Sequence, residues 1–107
     1  QINSINGIKA GVSCKSIDSI ARDHITQAGY GKFFDHGLGH SLGLQIHEEP
    51  RFSKVSKDIL EENYVMTVEP GIYVKDIGGV RIEDDIIVTK DGSEILNKTS
   101  KEFQVIS

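Results

Sequence analysis

The sequence predicts an α+β fold, and three of its features carry that prediction. Apolar residues recur at helical spacing between Ser13 and Gly29, two-residue alternation governs much of the remaining chain, and turns containing Gly or Pro separate the short apolar runs of the second half. One main helix followed by several tightly connected strands implies helices packed on one side of a curved, mainly antiparallel sheet.

Taken in order, Gln1 to Lys9 has helix-compatible spacing through Ile2, Ile5 and Ile8, broken by Gly7 and Gly11, as at the cut end of a longer helix. Ile17, Ile20, Ala21, Ile25 and Ala28 predict a helix over 14–28, with Ser13 as its N-cap, Asp18 early and Gly29 placed to stop it. Leu42, Leu44 and Ile46 alternate with Ser41, Gly43 and Gln45, which predicts a strand over 41–47. Residues 50–63 show no clear period apart from Ile59-Leu60. A strand over 65–69 is stopped by Pro70-Gly71 and resumed by Ile72-Tyr73-Val74. Gly78-Gly79 turns the chain into a strand over 80–88, where Val80, Ile82, Ile86 and Val88 share one face, Ile82 being buried, and Arg81, Glu83, Asp85 and Ile87 share the other. Lys90-Asp91-Gly92 makes the next hairpin, into Glu94-Ile95-Leu96.

Composition narrows the function classes. A chain of 107 residues, 37% hydrophobic and 26% charged, is one domain at most and matches a soluble globular protein with a small core. The net charge is -4, and twelve Lys and Arg scattered among sixteen acids leave no basic stripe, which argues against a nucleic-acid partner. No apolar run approaches the roughly 18–20 residues of a membrane span. The single cysteine, Cys14, cannot form an internal disulfide, so a reducing, cytoplasmic setting is expected. The first residue is Gln1 rather than Met, and the chain reads as a fragment whose natural N-terminus lies elsewhere.

His36, His40 and His47 fall within twelve residues, among Gly37, Gly39 and Gly43, which allow close backbone approach. A lone histidine is usually structural, and His24, on the helix without such company, is read so. Three together point to a site, because imidazole is a common neutral ligand and titrates near neutral pH. Glu69, before Pro70-Gly71, taken alone reads as a solvated strand end. Glu83 shares a face with Arg81, so a guanidinium can orient its carboxylate, the alternative being a surface ion pair worth under about 1 kcal/mol. Asp84-Asp85, and Glu48-Glu49 before Pro50, read equally as solvated acidic tips. One imidazole and two carboxylates from three strand-like segments suit a hard or borderline divalent metal, leaving nearby histidines for acid–base work.

Four segments, His36-Gly37-Leu38-Gly39-His40, His47-Glu48-Glu49-Pro50, Thr67-Val68-Glu69-Pro70-Gly71-Ile72-Tyr73 and Gly79-Val80-Arg81-Ile82-Glu83-Asp84-Asp85, together resemble the C-terminal signature of the pita-bread metallopeptidases. Within that family the match is to the proline peptidases, Xaa-Pro dipeptidase (prolidase) and aminopeptidase P. It runs over nearly the whole chain, from Lys9-Ala10-Gly11-Val12-Ser13 onward. Methionine aminopeptidase shares the contexts of His40, His47 and Glu69 but lacks the Arg81-Ile82-Glu83-Asp84-Asp85 string. Ser41 stands where a glycine is common, and Glu62-Asn63 where a turn pair is usual.

The resemblance implies the C-terminal half of a pita-bread fold, with residues 1–107 forming the C-terminal part of a catalytic domain whose N-terminal half is absent. It implies hydrolysis of peptide bonds preceding proline, with two divalent cations as cofactors, manganese first, with cobalt, zinc or iron as alternatives. His40, Glu69 and Glu83 map onto metal ligands, Glu83 bridging both ions. His36 and His47 map onto non-ligand histidines that orient substrate and stabilise the tetrahedral intermediate, Glu69 onto the general base, and Arg81 onto a supporting arginine. The implied partners are a peptide substrate with proline after the scissile bond, the N-terminal half of the same protein and further copies of it. The family's two aspartate ligands have no counterpart in the chain, so the isolated 107 residues are expected to be inactive and to bind metal weakly or at one site. Two other readings are a methionine aminopeptidase-like or creatinase-like hydrolase, and a non-catalytic binding module on the same fold.

Overall fold

A computed structural model describes all 107 residues. Two helices, α1 (Ile2–Gly7) and α2 (Cys14–Gln27), and a single 3-10 turn (Gly31–Phe33) precede seven strands: β1 (Gly39–Ser41), β2 (Glu48–Phe52), β3 (Val65–Val68), β4 (Gly71–Val74), β5 (Gly78–Arg81), β6 (Asp84–Val88) and β7 (Ser93–Ile95). Five strands form an antiparallel sheet in the order β2-β1-β3-β6-β7, and β4 with β5 makes a separate two-stranded ribbon. The expected α+β architecture is the one observed.

The main helix is set by its ends. Ser13 Oγ accepts from Ser16 N at 3.0 Å, the N-cap its sequence position predicts. At the other end Tyr30 N donates to Ile25 O and Gly29 N to Thr26 O, both at 3.0 Å, with Gly29 at φ +90°. This pair of bonds satisfies the last carbonyls in a Schellman arrangement that requires a left-handed residue, hence glycine. The helix buries Cys14, Ile17, Asp18 and Ala21, and the apolar three pack with Phe34, Leu38, Phe52, Met66, Val68, Ile86 and Val88 from the loop and sheet. Burial, then the charge of Asp58, pushes the Cys14 thiol up to about 11.

The structure corrects four expectations. Residues 42–46 do not form a strand: β1 ends at Ser41, and the segment is a connecting loop with Leu44 and Ile46 exposed. The chain must reverse here because β2 pairs back antiparallel on β1, His40 opposite Arg51. That pairing makes a strand of Glu48–Phe52, which polar residues hide from any periodicity reading; only Phe52 is fully inward, and Pro50 is tolerated because β2 is an edge strand. The predicted strand over 80–88 is two strands in different sheets, broken at Ile82 and Glu83, and Ile82 is 38% exposed rather than buried. Asp84, read as part of a solvated tip, is buried, sharing the inward face of β6 with Ile86 and Val88. Its Oδ2 accepts from Gln1 Nε2 at 3.2 Å, and Lys101 Nζ stands 2.8 Å from its Oδ1 as an ionic contact.

The break in 80–88 is matched across the ribbon. Val68 pairs with Asp84 in the main sheet and Gly71 with Arg81 in the small one. Continuing that register from either side sets Glu69 opposite Glu83 at the corner where the two-stranded ribbon passes from one sheet to the other. Pro70 offers no N–H there, and only Ile82 N to Pro70 O, at 3.3 Å, ties the strands across it.

Gly39 marks the tightest strand contact: a Cβ there would run into the backbone carbonyl of Thr67 on β3. Gly39→Ala is expected to force β1 off β3 and lower stability by about 1–3 kcal/mol. The check is the denaturant midpoint at unchanged slope in the intact protein; an unmoved midpoint would mean that the two strands are not locked.

Candidate active site

His40 and Glu69 come together through a hydroxyl. Thr67, 1% exposed on β3, stands two residues before Glu69, so the two side chains project to the same side. Its Oγ1 accepts from His40 N at 3.0 Å and donates to Glu69 Oε1 at 2.9 Å, and Glu69 N donates to Leu38 O at 2.8 Å. His40 Nδ1 lies 2.9 Å from Ser41 O. A carbonyl can only accept, so Nδ1 carries the proton and, in the neutral ring, Nε2 presents a bare lone pair. That Nε2 stands 3.0 Å from Glu69 Oε1. Two acceptors at that distance need a proton or a metal cation between them.

Arg81 joins the two glutamates. Its Nε lies 3.5 Å from Glu69 Oε2 and 3.6 Å from Glu83 Oε2, ionic contacts longer than good hydrogen bonds. The guanidinium is held above its ordinary pKa first by the adjoining Tyr73 hydroxyl and then by Glu69 and Glu83. The Glu83 carboxyl is pushed up by burial and by Glu69 across the ribbon, against the opposing pull of Arg81. With Arg81 between the carboxylates, no three His, Cys, Asp or Glu side chains are grouped closely enough to hold a metal ion by themselves.

His36 enters from the other side. Its Nδ1 is 2.7 Å from Gly37 O, so Nδ1 donates and Nε2 accepts from Tyr73 Oη at 3.0 Å. His47 stacks edge-to-face on His40, with ring centroids 4.5 Å apart. His36, His40, His47, Glu69 and Arg81 line one open cleft of about 790 Å³, together with Arg51 and Lys57. Glu83 does not line that cleft and meets the others through Arg81. The structure thus assembles five of the six site residues expected from the sequence around one cleft and attaches the sixth. His24 is exposed on α2, apart from them.

Four residues of this arrangement escape sequence reasoning: Thr67, Tyr73, Asp18 and Arg22. Thr67 shares a face with Glu69 by two-residue alternation, a signal that was available. Tyr73 lies on the ribbon and links His36 to Arg81. Asp18 and Arg22 are spaced i,i+4 on α2, and the buried Asp18 sits among apolar positions.

Metallopeptidase family M24 matches this sequence over residues 1–90. The chain belongs to that family. It is 50% identical over 103 residues to a Xaa-Pro dipeptidase of Pyrococcus horikoshii, covering 96% of this chain and 29% of that one. Among solved structures it superposes on a Xaa-Pro dipeptidase from Bacillus anthracis with a TM-score of 0.96 at 50% identity, covering 98% of this chain and 30% of that one. The prolidase from Pyrococcus furiosus gives a TM-score of 0.92 at 46% identity, covering 94% and 30%. These neighbours are pita-bread enzymes, so the chain has part of that fold, and it spans about 30% of the length of the relatives it matches.

Thr67 is the residue on which the His40–Glu69 geometry turns. Thr67→Val keeps the shape but leaves the His40 N–H without its acceptor, and is expected to cost about 1–3 kcal/mol, with Thr67→Ser retaining most of the stability. Matched denaturation curves of the two variants in the intact protein check this.

Proposed function

We propose that this chain supplies His40, Glu69 and Glu83 to a divalent-metal centre that hydrolyses peptide bonds preceding proline, as in a Xaa-Pro dipeptidase or aminopeptidase. The observation that carries the reading is the bare Nε2 of His40 facing Glu69 Oε1 at 3.0 Å, beside a second carboxylate held close by a cation. Such a pairing suits a metal as the shared partner, and one imidazole with carboxylate oxygens suits manganese, cobalt, zinc or iron, of which we favour manganese. Bound there, metal ions would lower the pKa of water and polarise the substrate carbonyl.

The chain's own residues do the rest. Glu69, held by the Thr67 hydroxyl, takes the proton from the attacking water and returns it to the leaving nitrogen. His47, at the mouth of the cleft against His40, donates to the developing oxyanion. His36, fixed by Gly37 O and Tyr73, orients the peptide. Arg81, 52% exposed, has room to move aside as the carboxylates take their cations, and then steadies them from outside.

In this reading residues 1–107 are the C-terminal part of a catalytic domain, and the remaining metal ligands lie in the part of the protein beyond them. The apolar groove of about 690 Å³ between α1, α2 and the β4–β5 ribbon, lined by Ile2, Ile5, Ile25, Ile72, Val80 and Ile82, receives that part. The 107 residues alone would self-associate through this face. The cell compartment we infer is the cytoplasm, where an unpaired Cys14 is expected.

Metal content and steady-state kinetics on Xaa-Pro dipeptides test the proposal in the intact protein. Glu83→Ala should lose one metal and bring turnover below detection. His47→Ala should keep both metals while lowering kcat by about 10²–10³-fold, the size of a lost oxyanion donor. The 107 residues alone should not cleave these substrates with added manganese. An intact Glu83→Ala protein with two metals and near-normal turnover would overturn the assignment.

A further inference from the structure

The loop that carries His36 has no ladder of its own. Between the 3-10 turn and β1, residues 34–38 form neither helix nor strand, yet three of their backbone groups are satisfied by one side-chain pair on α2. Arg22 Nη1 donates to Phe34 O at 2.9 Å and Nη2 to His36 O at 2.8 Å. The same guanidinium grips Asp18 through Nε at 2.8 Å and Nη2 at 3.0 Å, and Asp18 Oδ1 accepts from Leu38 N at 3.0 Å. The guanidinium carbon lies 4.2 Å over the Phe34 ring, which meets the His36 ring edge-to-face at 5.1 Å. Asp18 is fully buried. An i,i+4 pair that served only its helix would point to solvent; here Asp18 is buried and Arg22 half-buried, and their remaining bonds go to alternate residues of the loop.

We propose that Asp18 and Arg22 are positioning residues for the site, a clamp on α2 that sets the backbone of residues 34–38 and thereby the direction of the His36 ring and the entry of the chain into β1 at His40. Only a planar fork can hold a carboxylate and two carbonyls in three directions at once; a lysine ammonium supplies the charge without the geometry. The clamp reaches the chemistry through His36, so its kinetic consequence rests on the proposed peptidase function, while its structural consequence does not.

The test is Arg22→Lys in the intact protein, read in two ways. In metal-free protein labelled at the histidine ring nitrogens, the His36 Nδ1–H signal, held by Gly37 O in the parent, should shift or broaden while the far-UV spectrum stays native. In metal-loaded protein kcat should fall by about tenfold with KM within about twofold, the pattern of a misplaced group rather than lost binding. An unchanged His36 signal in folded Arg22→Lys overturns the clamp, whatever the protein hydrolyses. A lowered melting temperature with unchanged His36 signal and kcat also overturns it, because the pair is then only structural. A shifted signal in a parent that never cleaves Xaa-Pro bonds supports the clamp and sinks the peptidase function instead. If Arg22→Lys does not fold, Asp18→Asn, which keeps the shape and an oxygen for Leu38 N, carries the same two readouts, and the same results support or overturn the clamp.

Discussion

Two carboxylates facing each other across an antiparallel ribbon are the constraint around which this chain is arranged. Glu69 and Glu83 occupy opposed register positions at the corner between the two sheets, and like charges so placed repel. The chain accommodates them by giving up the ladder at that corner, by ending one strand at Pro70, and by setting Arg81 between them. Each device also serves the site. The corner turns both acids to one side, the proline adds no backbone donor beside them, and the arginine holds them together.

The second level of order is hydrogen-bonded and local. Thr67 has one proton to give and gives it to Glu69, so its lone pair takes the His40 N–H. His40 spends its Nδ1 proton on the adjacent carbonyl, which leaves the other nitrogen bare toward the acid. His36 repeats the device with Gly37 O, and Tyr73 completes it. In both histidines the tautomer is set by the carbonyl next in sequence, whatever sets the direction of the ring.

What the sequence made legible divides along physical lines. The main helix could be read because its signals are local: the Ser13 cap and Gly29 do their work within four residues of where they stand. The hairpin into β7 was equally clear, from its turn residues. Leu42, Leu44 and Ile46 misled because alternation reports facing and not burial; in a reversing loop the apolar side faces water. The strand over 80–88 misled for the opposite reason, since the register runs unbroken through the corner and the period of two does not register a bend. Glu48–Phe52 pairs through its backbone with little apolar alternation to announce it. In the site, His36, His40 and His47 stood out by their density among glycines, while Glu69, Arg81 and Glu83, each open to a bland reading alone, gained their roles from the four-segment resemblance; Thr67, Tyr73, Asp18 and Arg22 are ordinary residues whose meaning lies in what they touch after folding.

Cys14 shows how far burial can override position. It is the first residue of α2, next to the Ser13 cap, where the helix end would ordinarily favour a thiolate, yet burial and Asp58 hold the thiol near 11. Only the ionised form attacks peroxides, disulfides or soft metals, and that form is strongly disfavoured here. The sole sulfhydryl of this chain, fully buried, is therefore kept from soft metals and oxidants while α2 stays packed, and gives no point at which one molecule can be cross-linked to the next.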